Sequence, residues 1–512
     1  MAIGFDRSDV LVVGAGPTGL VLALWLKRLG LDVRILDKTA EPGTTSRALV
    51  VHARTLELYR QLGVAEDMVK MGLPFSAVNL WVRGKQVARA ALGDLGRGLT
   101  PFPSMLIVPQ DQHERLLIDH LRRVGVEVER QTELVAFDDR GDRIVARTRA
   151  PDGAEVTREA AYLVGCDGAH SRTREVLGIG FPGGTYQRMF YVADVQLRGP
   201  VDNHELHLAL DDADFLAVFP MNGEHAARII GTVKRDAEGQ HALTWDDVSG
   251  HAAQRIGIIV DRLNWFSTYR VHHRVAETFG RGRTFLAGDA AHIHSPVGGQ
   301  GMNTGIGDAS NLAWKLAAVV RGRANPKILE SYQPERIAFA RRLVATTDRA
   351  FTFVSRDGAL ARLVRLKLVP LAVPALLNGR AARRMMFRIL SQTQLNYRKS
   401  PLSVGRAGHV RGGDRLPWVA GAKQDGADNF TPLTSLDWQL HVYGEASLAL
   451  QAAAAAHSLP VHTFRWTAEV AGAGLLQNAA YLVRPDGYVG LADRDARPET
   501  LHQYLEDRIR QR

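Results

Sequence analysis

Residues 9–13, DVLVV, run directly into the glycine turn GAGPTG at 14–19. Residues 20–29 then carry apolar side chains at helical spacing until Gly30. A second apolar run at 33–36 ends on Asp37. This order, strand, glycine turn, helix, strand, is a βαβ unit, and it commits the chain to a parallel sheet with helices packed on it. The glycines have separate tasks in GAGPTG. Gly14 permits the tight turn, Gly16 lets backbone approach a pyrophosphate, and Gly19 lets the helix lie close to the strand, with Pro17 and Thr18 opening that helix.

Asp37 stands where a carboxylate grips the ribose hydroxyls of an adenosine. It would repel a 2′-phosphate, so the site favours FAD or NAD over NADP. Lys38 and Arg47 are candidate phosphate partners, with surface charge the competing role. Gln110 opens an amphipathic helix over 110–124 with Glu114 and Leu117 on its face, and suits either a polyol or phosphate contact or a cap.

Two further segments share the logic of a strand running into a turn. YLVGCDGAHSRTR at 162–174 places Asp167 at a strand end, where it either accepts from a ribose or caps a helix. RTFLAGDAAHIHSPVGGQGMN at 283–303 joins an apolar run, Gly288-Asp289, a His/Pro segment and a glycine loop, and a helix follows from 304. A helix start of that kind aims N–H groups at an electron-rich ligand.

The 512 residues allow two or three domains. Residues 190–233 switch to alternating patterns, as an antiparallel sheet inserted into the first domain would, and residues 75–87 supply further strands. Helices resume over 304–394, 397–401 reads as a linker, and strands are expected at 433–443 and 480–489. One cysteine, Cys166, excludes a disulfide framework and a CxxC pair, and no metal site is expected. The net charge of +10 comes without a nucleic-acid motif, so no nucleic acid is expected. Residues 363–377 are too short and too broken by charge and proline to span a bilayer, and no signal peptide is visible, which fits the cytoplasm.

Taken in order, GAGPTG, Asp37, Arg47, Gln110, CDGAHSRTR and LAGDAAHIHSPVGGQGMN resemble the class A flavoprotein monooxygenases, the aromatic hydroxylase family, over about 9–342. The remainder, with GGDR at 412–415 and LVRPDG at 482–487, resembles the thioredoxin-like tail of the phenol- and polyketide-hydroxylase branch; without cysteine it has no dithiol chemistry. The resemblance implies an α/β fold: a Rossmann-like FAD-binding domain (1–74 with 106–182 and 274–399), an inserted antiparallel substrate-binding sheet (75–105 with 183–273) and a thioredoxin-like domain (400–512). It implies tight, non-covalent FAD, NADPH or NADH as transient reductant, and hydroxylation of a phenolic or polycyclic aromatic by O2 through a C4a-hydroperoxyflavin. Asp289 would bind the ribityl chain, Arg47 and Gln110 the phosphates and ribityl, and Asp167 both nucleotides. Pro296 and His294 would lie near the reactive flavin edge, and Gly299, Gly301, Met302 and Asn303 at its N1/O2 side. Tyr191, His207, Phe215, Phe219, Met221 and Arg228 are candidates for the pocket roof, and His292 is either a proton-transfer partner or a satisfied core residue. A homodimer is open. The alternatives are a flavin dehydrogenase or reductase without oxygen insertion, an antibiotic-modifying monooxygenase, and a non-enzymatic flavin-binding protein.

Overall fold

The computed structural model describes residues 6–43, 48–74, 76–91, 95–210, 215–233, 243–248, 256–295, 297–355, 379–422 and 426–510. Arg47 and Pro296 lie outside the described residues.

The βαβ unit forms as its pattern demands. Asp6–Val13 lies between Val33–Leu36 and Glu155–Gly165, all parallel, and an apolar strand with neighbours on both sides is buried on both faces. Thr284–Leu286 extends this eight-stranded sheet on one side and Val128–Glu129 on the other. The hairpin over Asp152-Gly153 hangs from Glu155–Gly165. Six helices are used below: α1 (Pro17–Arg28), α2 (Ala53–Leu62), α3 (Gln110–Arg123), α4 (Gln300–Val320), α5 (Tyr332–Ser355) and α6 (Arg380–Leu390).

The second eight-stranded sheet is antiparallel except where Leu206–Leu210 runs parallel to Ala77–Val82. Its long pair, Gly183–Arg198 and Ile259–Val275, joins the short strand His292–Ile293, which continues from the first sheet. Chain alternation divides its side chains between two faces. Tyr191, Ala193, Val218 and Ile229 pack on the back with Trp81, Val248 and Ile256. Phe190, Val192 and Ile230 lie on the front with Phe215, Phe219, Trp265 and Tyr269. That front adjoins a cluster of Val50, Ile107, Phe387 and Leu390, through which the sheet meets the part built on the parallel sheet.

The C-terminal sheet has six strands, in the order Val410–Arg411, Val404–Ala407, Val489–Asp493, Ala480–Val483, Gln439–Tyr443, Val461–Phe464. Three expectations are corrected here. Residues 480–489 are not one strand but two, Ala480–Val483 and Val489–Asp493, because Arg484 N–H donates to the Tyr488 carbonyl at 2.8 Å and turns the chain. Within 433–443 only Gln439–Tyr443 is strand, since Thr431–Ser435 winds into a 3-10 turn. The stretch 397–401 is no free linker: Tyr397 and Ser400 are buried.

Candidate functional site

At the first glycine turn, φ at Gly14 is +102°, and a Cβ there would stand 2.4 Å from the Cys166 carbonyl oxygen. A Cβ at Gly19 would stand 1.9 Å from the Gly14 oxygen. At Gly16 nothing lies within 4 Å of that position, so this is the side open to a ligand. Gly16 also caps α1 without a side chain, which leaves first-turn N–H groups facing the same side. Asp37 braces the turn: Oδ2 accepts from Ala15 N–H at 2.7 Å, and Oδ1 from Thr39 N–H at 2.8 Å and its hydroxyl at 2.6 Å. A carboxylate has about four acceptor sites, so further donors fit beside these. Arg130 comes within 3.8 Å of Asp37 Oδ1, and its buried Nη2 has no hydrogen-bond partner among the described residues. With Ala40, Pro42, Ile118 and Val128 it lines a cleft next to Asp37. Gln110 holds the neighbouring chain, accepting from Ala48 N–H at 3.3 Å and donating to Glu114 at 2.8 Å. Burial pushes the Glu114 carboxyl upward, and its other oxygen takes Gly43 N–H at 3.2 Å. Lys38 is exposed.

The second turn, Gly288–Ala290, follows the strand Thr284–Leu286. Gly288 and Ala290 are buried while Asp289 projects its carboxylate outward. A Cβ at Gly288 or Gly305 would meet the Thr18 hydroxyl at 2.5 or 2.2 Å, so α1 and α4 interlock around Thr18 and bring the two turns together. Asp308 fastens this turn from below, accepting from Gly288 N–H at 3.0 Å, His292 Nε2 at 2.7 Å and Arg336 Nε at 2.6 Å. Burial opposes the Asp308 charge, but Arg336 and His292 outweigh it and hold the carboxyl below its ordinary value. His292 is thereby a buried core residue held through Nε2 and stacked on Phe279, while its buried Nδ1 has no partner among the described residues. His294 donates through Nδ1 to the Ser295 carbonyl at 2.8 Å, leaving a buried Nε2 without a partner among the described residues. Burial lowers its pKa to about 4, so the ring is neutral at pH 7.

The third turn precedes α4. Gly298 and Gly299 have φ of +79° and +62°, two successive left-handed residues that glycine adopts without strain. Gly299 caps α4 with no side chain, and Gly301 and Met302 lie half-buried in its first turn. Asn303, expected at the flavin, uses all its polar capacity on protein. Oδ1 accepts from His52 N–H at 2.9 Å and the Thr55 hydroxyl at 2.7 Å, and Nδ2 donates to the Val50 and Gly299 carbonyls, both at 2.8 Å. It is a clamp on the loop. His52 Nδ1 and Ser295 Oγ beside this loop are buried without partners among the described residues. Asp167 is likewise engaged, by the Ser171 hydroxyl at 2.5 Å and by Thr173 N–H at 2.9 Å and its hydroxyl at 3.0 Å, which is the helix-cap alternative.

Two helix starts without side-chain caps, a guanidinium nitrogen of Arg130 without a partner among the described residues and the exposed Asp289 form a set that suits a long dinucleotide. Comparison with known proteins agrees. Residues 7–347 match the family described as FAD binding domain, and residues 409–509 the aromatic-ring hydroxylase C-terminal family. The 6-methylpretetramide 4-monooxygenase of Streptomyces rimosus is 35% identical over 98% of this chain and 95% of its own length. The pentachlorophenol 4-monooxygenase of Sphingobium chlorophenolicum is 32% identical over 68% of this chain and 65% of its own. In structure, the OxyS anhydrotetracycline hydroxylase from Streptomyces rimosus superposes with a TM-score of 0.79 at 29% identity over 98% of both chains.

The chain belongs to the FAD-dependent aromatic hydroxylases.

As an aromatic hydroxylase it uses FAD, takes reducing equivalents from NAD(P)H and hydroxylates an aromatic ring. Among the described residues no helix of this hydroxylase is long and apolar enough to cross a membrane. Two of the expected roof residues are displaced. Tyr191 packs on the back of the antiparallel sheet, its ring over Gly231. His207 is there too, accepting from Trp81 Nε1 at 2.9 Å through Nδ1 and bonded through Nε2 to Asn203 at 2.8 Å. Both follow from strand parity, which the sequence expectation did not resolve for this sheet. Phe215, Phe219 and Arg228 do lie on the front. Arg228 is buried and forks onto Asp194 at 2.6 and 2.7 Å, and Met221 follows the strand Phe215–Pro220 just past its end. Sequence reasoning missed Trp265 and Tyr269 on the same front face, because only ladder pairing assigns them to it. It missed Arg130, Asp308 and Arg336 because none lies in a motif. The Asp308 signal was nonetheless present: a carboxylate eight residues inside a helix that otherwise reads as buried.

Proposed function

We propose that this hydroxylase acts on fused polycyclic aromatics bearing a ring hydroxyl, with O2 as co-substrate, and that Gly16, Arg130, Asp289 and the start of α4 hold its FAD. The observation that carries the substrate reading is the front face of the antiparallel sheet. Half-buried Phe215, Phe219, Trp265 and Tyr269 present an extended aromatic surface toward the part of the chain that holds the glycine loop. Such a surface suits a flat multi-ring ligand better than a single ring, since stacking area grows with ring count. Two of the proteins matched along nearly the whole chain, the 6-methylpretetramide 4-monooxygenase and the anhydrotetracycline hydroxylase, bear the names of fused-ring substrates, whereas the pentachlorophenol enzyme aligns over two thirds of it.

FAD, when bound, supplies hydride acceptance and oxygen activation. The chain's own contribution is to bind, orient and keep the site dry. Gly299, with no side chain over the α4 N-terminus, turns first-turn N–H groups toward negative charge developing at the cofactor. Neutral His294 and His52 add polarity there without a competing positive charge. The apolar cluster of Val50, Leu390 and Phe219 excludes water between loop and sheet, which limits wasteful release of hydrogen peroxide. Arg228, buried on the front face, is held by Asp194 and fixes the sheet beneath the aromatic surface. The test is NAD(P)H consumption across a panel of simple phenols and three- and four-ring phenols, with product mass. Stimulation and a gain of one oxygen are expected from the fused rings. Turnover confined to single-ring phenols would overturn the substrate class.

A further inference from the structure

Arg484, in the hairpin of the C-terminal sheet, is fully buried against α5. Its Nη1 and Nη2 donate to the two Glu335 oxygens at 2.8 and 3.0 Å, and its Nε and Nη2 to Asp486 at 3.0 and 2.6 Å. Lys315 and Asn311 of α4 also reach Glu335, at 2.8 and 2.6 Å, and Ser400 at 2.5 Å. Arg54 of α2 donates to the Asp486 carbonyl at 2.5 Å. So many buried charges are a poor way to glue two units, because an apolar plug of the same shape stabilises as well or better.

The network also does not end at the interface. Glu335 is followed by Arg336, which donates to Asp308 at 2.6 Å, the Thr304 carbonyl at 2.9 Å and the Tyr397 hydroxyl at 2.8 Å. The Tyr397 ring lies 5.3 Å from the Arg484 guanidinium. Asp308 in turn takes the Gly288 N–H. Along α4, Gly307, Asn311 and Lys315 recur every fourth position and meet Arg336 or Glu335 of α5, and Thr304 and Asp308 beside them meet Arg336. A narrow crevice lined by Arg54, Asn303, Arg336, Tyr397 and Asp486, with Leu58 and Leu395, runs beside them.

We propose that Arg484 is a positioning residue for the flavin site: through Glu335 and Arg336, with Tyr397, it sets Asp308 and so the Gly288–Asp289 turn, and the C-terminal unit thereby tunes cofactor binding. Arg484 touches neither cofactor nor substrate; it acts by fixing the backbone donor that shapes the turn. The proposal rests on the reading that this turn holds FAD.

The experiment compares Tyr397→Phe, Arg484→Met and Arg484→Lys with Tyr443→Phe. The last removes a hydroxyl of the same kind, bonded to Asn429 at 2.7 Å, wholly inside the C-terminal unit. The readouts are FAD dissociation from each purified holoenzyme, the flavin midpoint potential, and the melting temperature of the apoprotein. Tyr397→Phe is expected to weaken FAD by roughly tenfold, the scale of one buried hydrogen bond, and to shift the potential. Arg484→Met should exceed it, with Arg484→Lys between wild type and Met. Tyr443→Phe should lower melting while leaving FAD affinity and potential unchanged. Wild-type affinity and potential in Tyr397→Phe, or equal losses in Tyr443→Phe, would overturn the proposal, and this pair decides even where Arg484→Met does not fold. Asp289→Ala separates the two levels. If it keeps its flavin, the reading of the turn fails; if it loses flavin while Tyr397→Phe and every folded Arg484 variant keep it, the coupling fails.

Discussion

Two glycine turns open the two helices that the proposed function sets at the cofactor, and they are built in opposite ways. The turn before α1 is a backbone device: Gly14 against the Cys166 carbonyl, Gly19 against Gly14, and a brace from Asp37 twenty-odd residues on. The turn before α4 is held by side chains from afar. Asn303 ties it to Val50, His52 and Thr55, Gln300 ties it to Leu390, and Asp308 with Arg336 secures the neighbouring Gly288. The first can be rigid before any ligand arrives. The second depends on α2, α5, α6 and, by the proposal above, the C-terminal unit, so it is the end of the site open to adjustment.

This contrast can be broken by substitution. The largest effect is expected from Gly14→Ala, whose Cβ meets backbone at 2.4 Å at a φ of +102°: protein purified without flavin and with a markedly lower melting temperature. Gly16→Ala sharpens the point. Its φ of −76° suits alanine and the space is open, so melting of the apoprotein should match wild type while FAD affinity collapses. Equal melting losses in the two variants would contradict the division between fold and ligand. Next, Asn303→Ala leaves His52 N–H and two carbonyls without their partner and should cost on the order of 3 kcal/mol in denaturant unfolding. A loss below a few tenths would show that the clamp is incidental. Arg130→Met should weaken FAD by about tenfold with no change in product, as loss of one charge-assisted bond does; unchanged affinity would remove Arg130 from the site. The broadest effect is on pH. Burial lowers His52, His207 and His294 from 6.5 to about 4 and His113 to about 3. Below pH 6.5 the unfolded chain takes up protons that the folded one refuses. Stability is therefore fullest above 6.5 and falls as pH drops toward 4. A melting temperature flat across that range would refute the burial of these rings.

The same contrast explains how much was legible in the sequence. The first turn could be read outright, since glycines, strand and helix are contiguous and Asp37 closes the unit. The Gly288-Asp289 turn and the helix after it were also visible as a local pattern. What held them was not: Asn303 looked like a cofactor contact because its partners, Val50 and His52, lie some 250 residues away. Tyr191 and His207 read as roof residues in sequence because strand parity in the antiparallel sheet depends on pairing with Ala226–Val233 and Ala77–Val82, which no single stretch reveals. RPDG at 484–487 was recognised as a tail motif, but its buried charges only have meaning once α4 and α5 stand beside it.

The account stands most directly on the fate of molecular oxygen. Holoenzyme turning over NAD(P)H with a fused-ring phenol under isotopically labelled O2 should yield product carrying one labelled oxygen atom on the ring. NAD(P)H oxidised with all label in hydrogen peroxide or water, and the ring unchanged across the panel, would contradict it.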